Sequence, residues 1–339
     1  MKLYIDSETY SETPISYGTY RYVQDCEPMI VTWAVDGGPV LLWDRTSNLP
    51  APYGLISALE NADEIWAHNA QFDRLVMNKI FLDLVPLGRW RCTLARALAH
   101  SLPAGLQELC AVMKIPQDQT KHAAGKRLMR LFCTPRPKKQ KLRRATKETH
   151  PVEWQGFLEY AKADILALRA VERKLPRRNY QGRELALWHL DQKINDRGFA
   201  VDLDLAQSAI DAMAAEKERL GEAVADATHG IVEAATQRDA LIEFLQYTYG
   251  VFIKDLTKDT VSRLLDSEIP EGVRELLLLR QEASTTAPAK FTKVIQGATG
   301  GRLRGTLQFA GAFRTARWAG RLFQPQNLAR PTMSPEEIE

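Results

Sequence analysis

The spacing of apolar positions changes part-way along the chain, and that change gives the first outline of the architecture. An apolar run, Met1-Lys2-Leu3-Tyr4-Ile5, opens the sequence, and two more at 29–35 and 39–43 flank Asp36-Gly37-Gly38. Asp-Gly and Gly-Gly between apolar runs are hairpin chemistry, so the pattern predicts a meander of three strands. A helix is predicted near 54–60, then a short strand at 64–68, then a helix opening after Asn69, whose side chain suits an N-cap. A short helix at 106–113 precedes a long one at 152–174, stopped by Pro176. Strands mixed with helices in this order predict an α/β layer.

From Gln181 strands become scarce and helical periodicity dominates, at 184–195, 203–227, 237–247, 258–265 and 271–282. Two domains are therefore expected, an α/β domain over 1–178 and a mostly α domain over 179–339.

Composition adds limits. The chain has 339 residues, 45% of them hydrophobic and 26% charged, an ordinary globular balance with ample material for a core. No run of eighteen apolar residues occurs, and the first strand ends in acids where a signal sequence would be basic and then apolar. A soluble chain of the cytoplasm, with no membrane partner, is the expectation. Cys26, Cys92, Cys110 and Cys133 form no Cys-x-x-Cys pair, which argues against a zinc or redox motif and fits packing roles in a reducing compartment.

The net charge of +3 identifies no partner, but its distribution is uneven. Residues 134–149 carry Arg136, Lys138, Lys139, Lys141, Arg143, Arg144 and Lys147. Such a run reads equally as a solvated loop or as a contact for nucleic-acid phosphate. Between Arg302 and Arg330 there are six arginines and no acid, interleaved with Phe309, Phe313, Trp318 and Phe323. Phosphate contacts beside stacking surfaces are the natural reading there.

The candidate chemistry is carboxylate. Asp6 and Glu8 stand two apart at the end of the first strand, so they share a face and aim at one point. Two anions that close call for a divalent cation, failing which one takes up a proton. Alone, the pair is better explained by ordinary solvated side chains at a strand end. Asp73 falls in the first turn of the helix after Asn69, where the helix dipole already favours an acid. Tyr160 and Asp164, four apart, share one helix face. His68 adjoins the cluster but reads as a structural strand-end histidine.

Asp-x-Glu on a first strand, Asn-x-x-x-Asp opening a middle helix and Tyr-x-x-x-Asp on a late helix, in that order, resemble the three exonuclease motifs of the DEDD superfamily in its tyrosine variant. The resemblance implies a ribonuclease H-like α/β domain. It further implies that Asp6, Glu8, Asp73 and Asp164 are ligands of two Mg²⁺ or Mn²⁺ ions, that Tyr160 orients the attacking water, and that Asn69 lies near the substrate. Two such ions serve in-line hydrolysis of a terminal phosphodiester.

The tail extends the resemblance. Arg302 and Arg304, then Arg314-Thr315-Ala316-Arg317 and Arg321, then Gln326-Asn327-Leu328, look like the primer-template-binding segment of family A DNA polymerases, above all their bacteriophage branch. That family has a Thr-Gly-Arg triplet where this chain has Thr315-Ala316-Arg317, and a proline where it has Ala329. Residues 194–202, Ile-Asn-Asp-Arg-Gly-Phe-Ala-Val-Asp, closely resemble the start of the family's thumb.

The chain ends eight residues after Pro331, before any palm or fingers motif. The expectation is a proofreading 3′ to 5′ exonuclease and thumb that binds DNA, as a single-stranded 3′ end and a primer-template duplex. It would not carry out synthesis by itself, and a separate chain could supply the polymerase half. Two rival readings are a DNA-binding module with an idle nuclease and an exoribonuclease of the RNase D kind.

Overall fold

The computed structural model describes residues 1–82, 84–116, 125–283, 289–324 and 327. Contacts divide the chain into two compact units, the first made of residues 1–200 and 297–324 and the second centred on 201–296.

The first unit is built on five strands, β1 (Lys2–Tyr10), β2 (Glu27–Val35), β3 (Leu41–Asp44), β4 (Glu64–Ala67) and β5 (Trp90–Cys92), in the spatial order β3-β2-β1-β4-β5. The predicted meander is present: β1 pairs antiparallel with β2, and β2 with β3. At the turn between β2 and β3, Asp36 takes a left-handed φ of 47°, and its carboxylate accepts the Lys2 amide at 2.7 Å. On the other side β1 pairs parallel with β4, and β4 parallel with β5. Parallel neighbours need crossovers, and helices supply them.

These helices are α1 (Thr19–Asp25), α2 (Tyr53–Asn61), α3 (Ala70–Phe81), α4 (Thr93–Leu98), α5 (Leu106–Val112), α6 (Gly125–Phe132), α7 (Pro151–Lys174) and α8 (Arg183–Arg197). The predicted α2, α3, α5 and α7 lie where expected. The sequence reading lacked α1, α4 and α6, which are only six to eight residues long and so offer barely two turns of periodicity.

Side chains alternate across β1, and the alternation assigns its two faces. Tyr4 donates to Glu172 of α7 at 3.0 Å, whereas Ser7 donates to Asp73 of α3 at 2.7 Å. Even-numbered residues of β1 therefore face α7 and odd-numbered ones face α3. The ladder between β1 and β2 shifts register between Glu8 and Thr9, where Glu8 pairs with Ile30 but Thr9 with Pro28. Such bulges bend a strand and re-aim side chains, and this one falls beside a candidate ligand.

The boundary departs from the expected 178/179. Trp188 on α8 packs on Tyr180, ring centroids 5.9 Å apart, inside the core of the first unit. Arg74 of α3 pairs with Asp196 of α8 at 2.6 Å. Buried contacts of this kind hold α8 to the sheet domain, so the division comes after β6 (Phe199–Ala200).

The second unit is helical, as expected, with α9 (Leu203–Ala227), α10 (Arg238–Tyr249), α11 (Lys258–Leu265), α12 (Glu271–Ala283) and most of α13 (Ala289–Gly297). Its core gathers Val224, Val232, Leu241, Leu245, Val273 and Leu277.

Strands then return, against the helical expectation: β7 (Ala298–Thr299), β8 (Arg302–Leu303), β9 (Leu307–Ala312) and β10 (Arg317–Gly320). Phe309 and Ala310 of β9 join the same core as Trp188, which brings this segment back to the first unit. Among the described residues no helix is long and apolar enough to cross a membrane.

Candidate active site

The strand and the long helix converge as their spacings require. Asp6 and Glu8 from β1 and Asp164 from α7 each offer a carboxylate oxygen within 4.8 Å of the others. Glu8 and Asp164 are buried and Asp6 is half-buried. Three hard oxygen donors this close, with repulsion to relieve, fit a divalent cation such as Mg²⁺ or Mn²⁺. They line a cavity of about 550 Å³ together with Asn69, Asp73, Arg130 and Tyr160.

Asp73 stands apart from the tight group of three. It is buried on the α3 side of β1, where Ser7 Oγ donates to its carboxylate. Burial, and next the charge of Asp6, hold its pKa well above the ordinary carboxyl value. Asp6 and Asp73 thus sense one another electrostatically, which is the coupling a shared cation would relieve.

Tyr160 is fully buried, its ring stacked on Phe157 at 6.1 Å with 7° between planes. Its hydroxyl donates to Met129 Sδ on α6 at 3.2 Å. Burial, then the charges of Asp164, Glu8 and Asp6, raise the phenol far above its usual pKa. It therefore stays protonated, a donor and not a base.

The approach of α6 depends on Gly125. A Cβ there would sit 2.1 Å from Tyr160 Cε2 and 2.6 Å from Cδ2, and the stacked ring has little room to yield. Met129, Cys133 and Ser7 also belong to the site's surroundings, and the sequence reading had none of them. The Cys133 thiol donates to Glu8 Oε2 at 3.7 Å, and burial, then the charge of Glu8, holds it protonated. The one available signal was the bare glycine opening an amphipathic stretch, 125–132.

Asn69 occupies the N-cap position of α3, but its side chain makes no capping bond, contrary to expectation. Its backbone is left-handed, φ 67° and ψ 49°, a conformation that asparagine tolerates better than most residues. The Ala70 amide, at the first position of α3, donates to Cys92 Sγ at 3.4 Å. His68 is held at both ring nitrogens, by Thr93 Oγ1 at 2.9 Å and the Ala104 carbonyl at 2.8 Å, which agrees with a structural role.

The tail residues divide into two sets. Arg302 donates to the carbonyls of Arg197 (2.6 Å) and Gly198 (2.9 Å), and Arg304 to those of Asp196 (2.9 Å) and Thr299 (3.0 Å). Both arginines therefore brace the chain where it leaves α8. Arg314, Thr315 and Arg317 are exposed at the tip of the β9–β10 hairpin, and Arg321 follows it. Gln326 lies outside the described residues, and the carbonyl of the exposed Asn327 accepts from Lys290 Nζ at 2.6 Å.

In the basic segment 134–149, Arg144 pairs with Glu27 at 2.6 Å and covers the Tyr10 ring, and Lys147 donates to the Thr46 carbonyl. Lys138, Lys139 and Lys141 remain exposed.

No family model matches the chain. A DNA polymerase of Bacillus phage SP02 is 33% identical over 334 residues, which cover 96% of this chain and 51% of that protein. The chain thus spans about half the length of this curated relative. Among solved structures, the POL domain of Pol1 from M. smegmatis, in complex with DNA primer-template and dNTP, is 16% identical. It aligns with a TM-score of 0.61 over 97% of this chain and 52% of its own. Brucella melitensis NrnC, 17% identical over 57% of this chain and 80% of its own, aligns with a TM-score of 0.38 and is too distant to guide interpretation. The match runs along nearly the whole sequence, so the chain is similar, from end to end, to about half of a phage DNA polymerase.

Proposed function

We propose that the chain is a metal-dependent 3′ to 5′ exodeoxyribonuclease, the proofreading portion of a family A DNA polymerase. In this reading the sheet domain is ribonuclease H-like, and the helical unit with the strands after it is thumb-like. The observation that carries it is the meeting of Asp6, Glu8 and Asp164 within 4.8 Å, in a cavity that Tyr160 and Asn69 also line.

Asp6, Glu8 and Asp164, with Asp73 beside them, would hold two Mg²⁺ or Mn²⁺ ions, which when bound supply an activated water and a counter-charge for the leaving oxygen. The chain's own groups do the rest. The protonated Tyr160 hydroxyl would give a hydrogen bond to orient the incoming water. Arg130, at the cavity wall, is a cation for the phosphate of the strand. Asn69, turned by its left-handed backbone, presents an amide to the terminal nucleotide.

The substrate would be a single-stranded or frayed DNA 3′ end, and exposed Arg314 and Arg317 suit duplex phosphate. The polymerase half would come from further sequence or another chain, and the setting would be a bacterial or phage-infected cytoplasm. Digestion of 3′-labelled and 5′-labelled single strands in Mg²⁺ tests the reading. Wild type should release nucleotides from the 3′ end, and Asp6→Ala should lose at least about a hundredfold in rate. Undiminished activity in Asp6→Ala would falsify the site.

A further inference from the structure

A second cavity of about 300 Å³ adjoins the first, sharing Ile15 and Asn69 with it. Its wall includes Gln192 of α8 and Gln308 of β9. Gln192 is only 4% exposed. Its Nε2 donates to Asp191 Oδ2 at 3.0 Å, which fixes the amide's orientation because a carboxylate only accepts. The same Asp191 accepts Asn195 Nδ2 at 3.2 Å and, on its other oxygen, Trp318 Nε1 at 2.7 Å. The network is thus complete around the carboxylate and incomplete at its end.

Neither Gln192 Oε1 nor Gln308 Oε1 meets a donor among the described residues, although both atoms are buried. Burying a carbonyl without a donor is costly, and native structures rarely leave two in one cavity. At the rim Arg321 gives one amino group to the Gly320 carbonyl, which leaves further N–H groups for an anion.

We infer that this cavity is a subsite for a nucleobase bearing an exocyclic amino group, on a nucleotide close to the strand end held at the carboxylates. The amino group donates to the Gln192 and Gln308 carbonyls, and Arg321 takes a neighbouring phosphate. The inference rests on the exonuclease reading for its substrate, but its geometry is independent of the carboxylates.

The test is equilibrium binding of a 5′-labelled single strand, read by fluorescence anisotropy with Ca²⁺ in place of Mg²⁺. Adenine is exchanged for purine, which lacks the amino group, at each of the last few positions in turn. Exchange at one position should weaken binding to the wild-type chain about tenfold. Gln308→Leu and Gln192→Leu should bind the adenine strand about tenfold more weakly and be blind to the exchange. Among the described residues the Gln308 side chain makes no hydrogen bond, so its variant carries the test if Gln192→Leu melts early.

Indifference of the wild-type chain to the exchange at every position, or unaltered sensitivity in both variants, overturns the subsite and leaves a solvent-filled cavity. Parallel digestion in Mg²⁺ separates the two readings. Digestion without base sensitivity removes the subsite and keeps the nuclease, whereas base sensitivity without digestion does the reverse.

Discussion

Two single residues invite substitution. Tyr160→Phe keeps the ring stacked on Phe157 and deletes only the hydroxyl, so the fold should hold while the attacking water of the proposed mechanism would lose its donor. A loss of roughly 10²-fold in single-turnover rate, with little change in strand affinity, is the expected split. Ala316 occupies the place where the resembling polymerases carry glycine, and its φ is 52°. An alanine in the left-handed region is strained by roughly 1 kcal/mol. Ala316→Gly should therefore raise the melting temperature slightly, or leave it level if the entropy of the unfolded glycine offsets the gain. A clear drop would show that the hairpin tip is not strained. Glycine would meet that backbone angle without strain, a reason that local sequence pattern does not reveal.

At the level of elements, the same residue types acquire tasks that local pattern cannot show. The strand period put Asp6 and Glu8 on one face, and the helix period put Tyr160 and Asp164 on another, and these were legible. The α6 helix was not, because its eight residues offer barely two turns of period, and its contact with Tyr160 is tertiary. Gly125→Ala should force the ring or the helix aside and cost about 1–3 kcal/mol by urea unfolding, with activity falling further than Tyr160→Phe alone would explain.

The tie between α8 and β10 responds to pH. Burial raises Asp191 to about 6 despite the donors from Trp318, Gln192 and Asn195. A carboxyl raised in the folded state is most favourable when protonated. Its contribution is full below the ordinary value of 3.8 and falls away as pH rises through about 6. The swing is of the order of 3 kcal/mol. Urea unfolding between pH 4 and pH 7 should show this decline in wild type and a flatter profile in Asp191→Asn.

For the whole molecule, if the three crowded carboxylates hold a divalent ion as proposed, that ion would bind the folded chain and not the unfolded one. Saturating Mg²⁺ or Mn²⁺ should raise the melting temperature, by about 2.7 kcal/mol of stability at a hundredfold excess over Kd, and the rise should vanish in Asp6→Ala. The global division was the least legible part of the sequence. Helical periodicity beyond Gln181 is real, yet α8 is claimed by Trp188 and Arg74 for the sheet domain, and β9 by Phe309. Those are tertiary preferences, written in contacts such as that between Arg74 and Asp196, 122 positions apart, where no local period can record them.

One consequence concerns the way the chain is made. Ala200 of β6 and Thr299 of β7 both pair with Arg302 of β8, one on each side. The chain thus leaves and rejoins the first unit across a single strand, two sheet spacings or about 10 Å apart. Topologically, residues 201–296 are an insertion in a loop. During vectorial synthesis β6 emerges with no neighbour and must wait for about a hundred residues before β8 arrives, so the first unit is closed only after the inserted residues have been translated. A variant in which a short Gly/Ser bridge replaces 201–296 should still close the three-stranded clasp, and its nascent chain would have almost no wait.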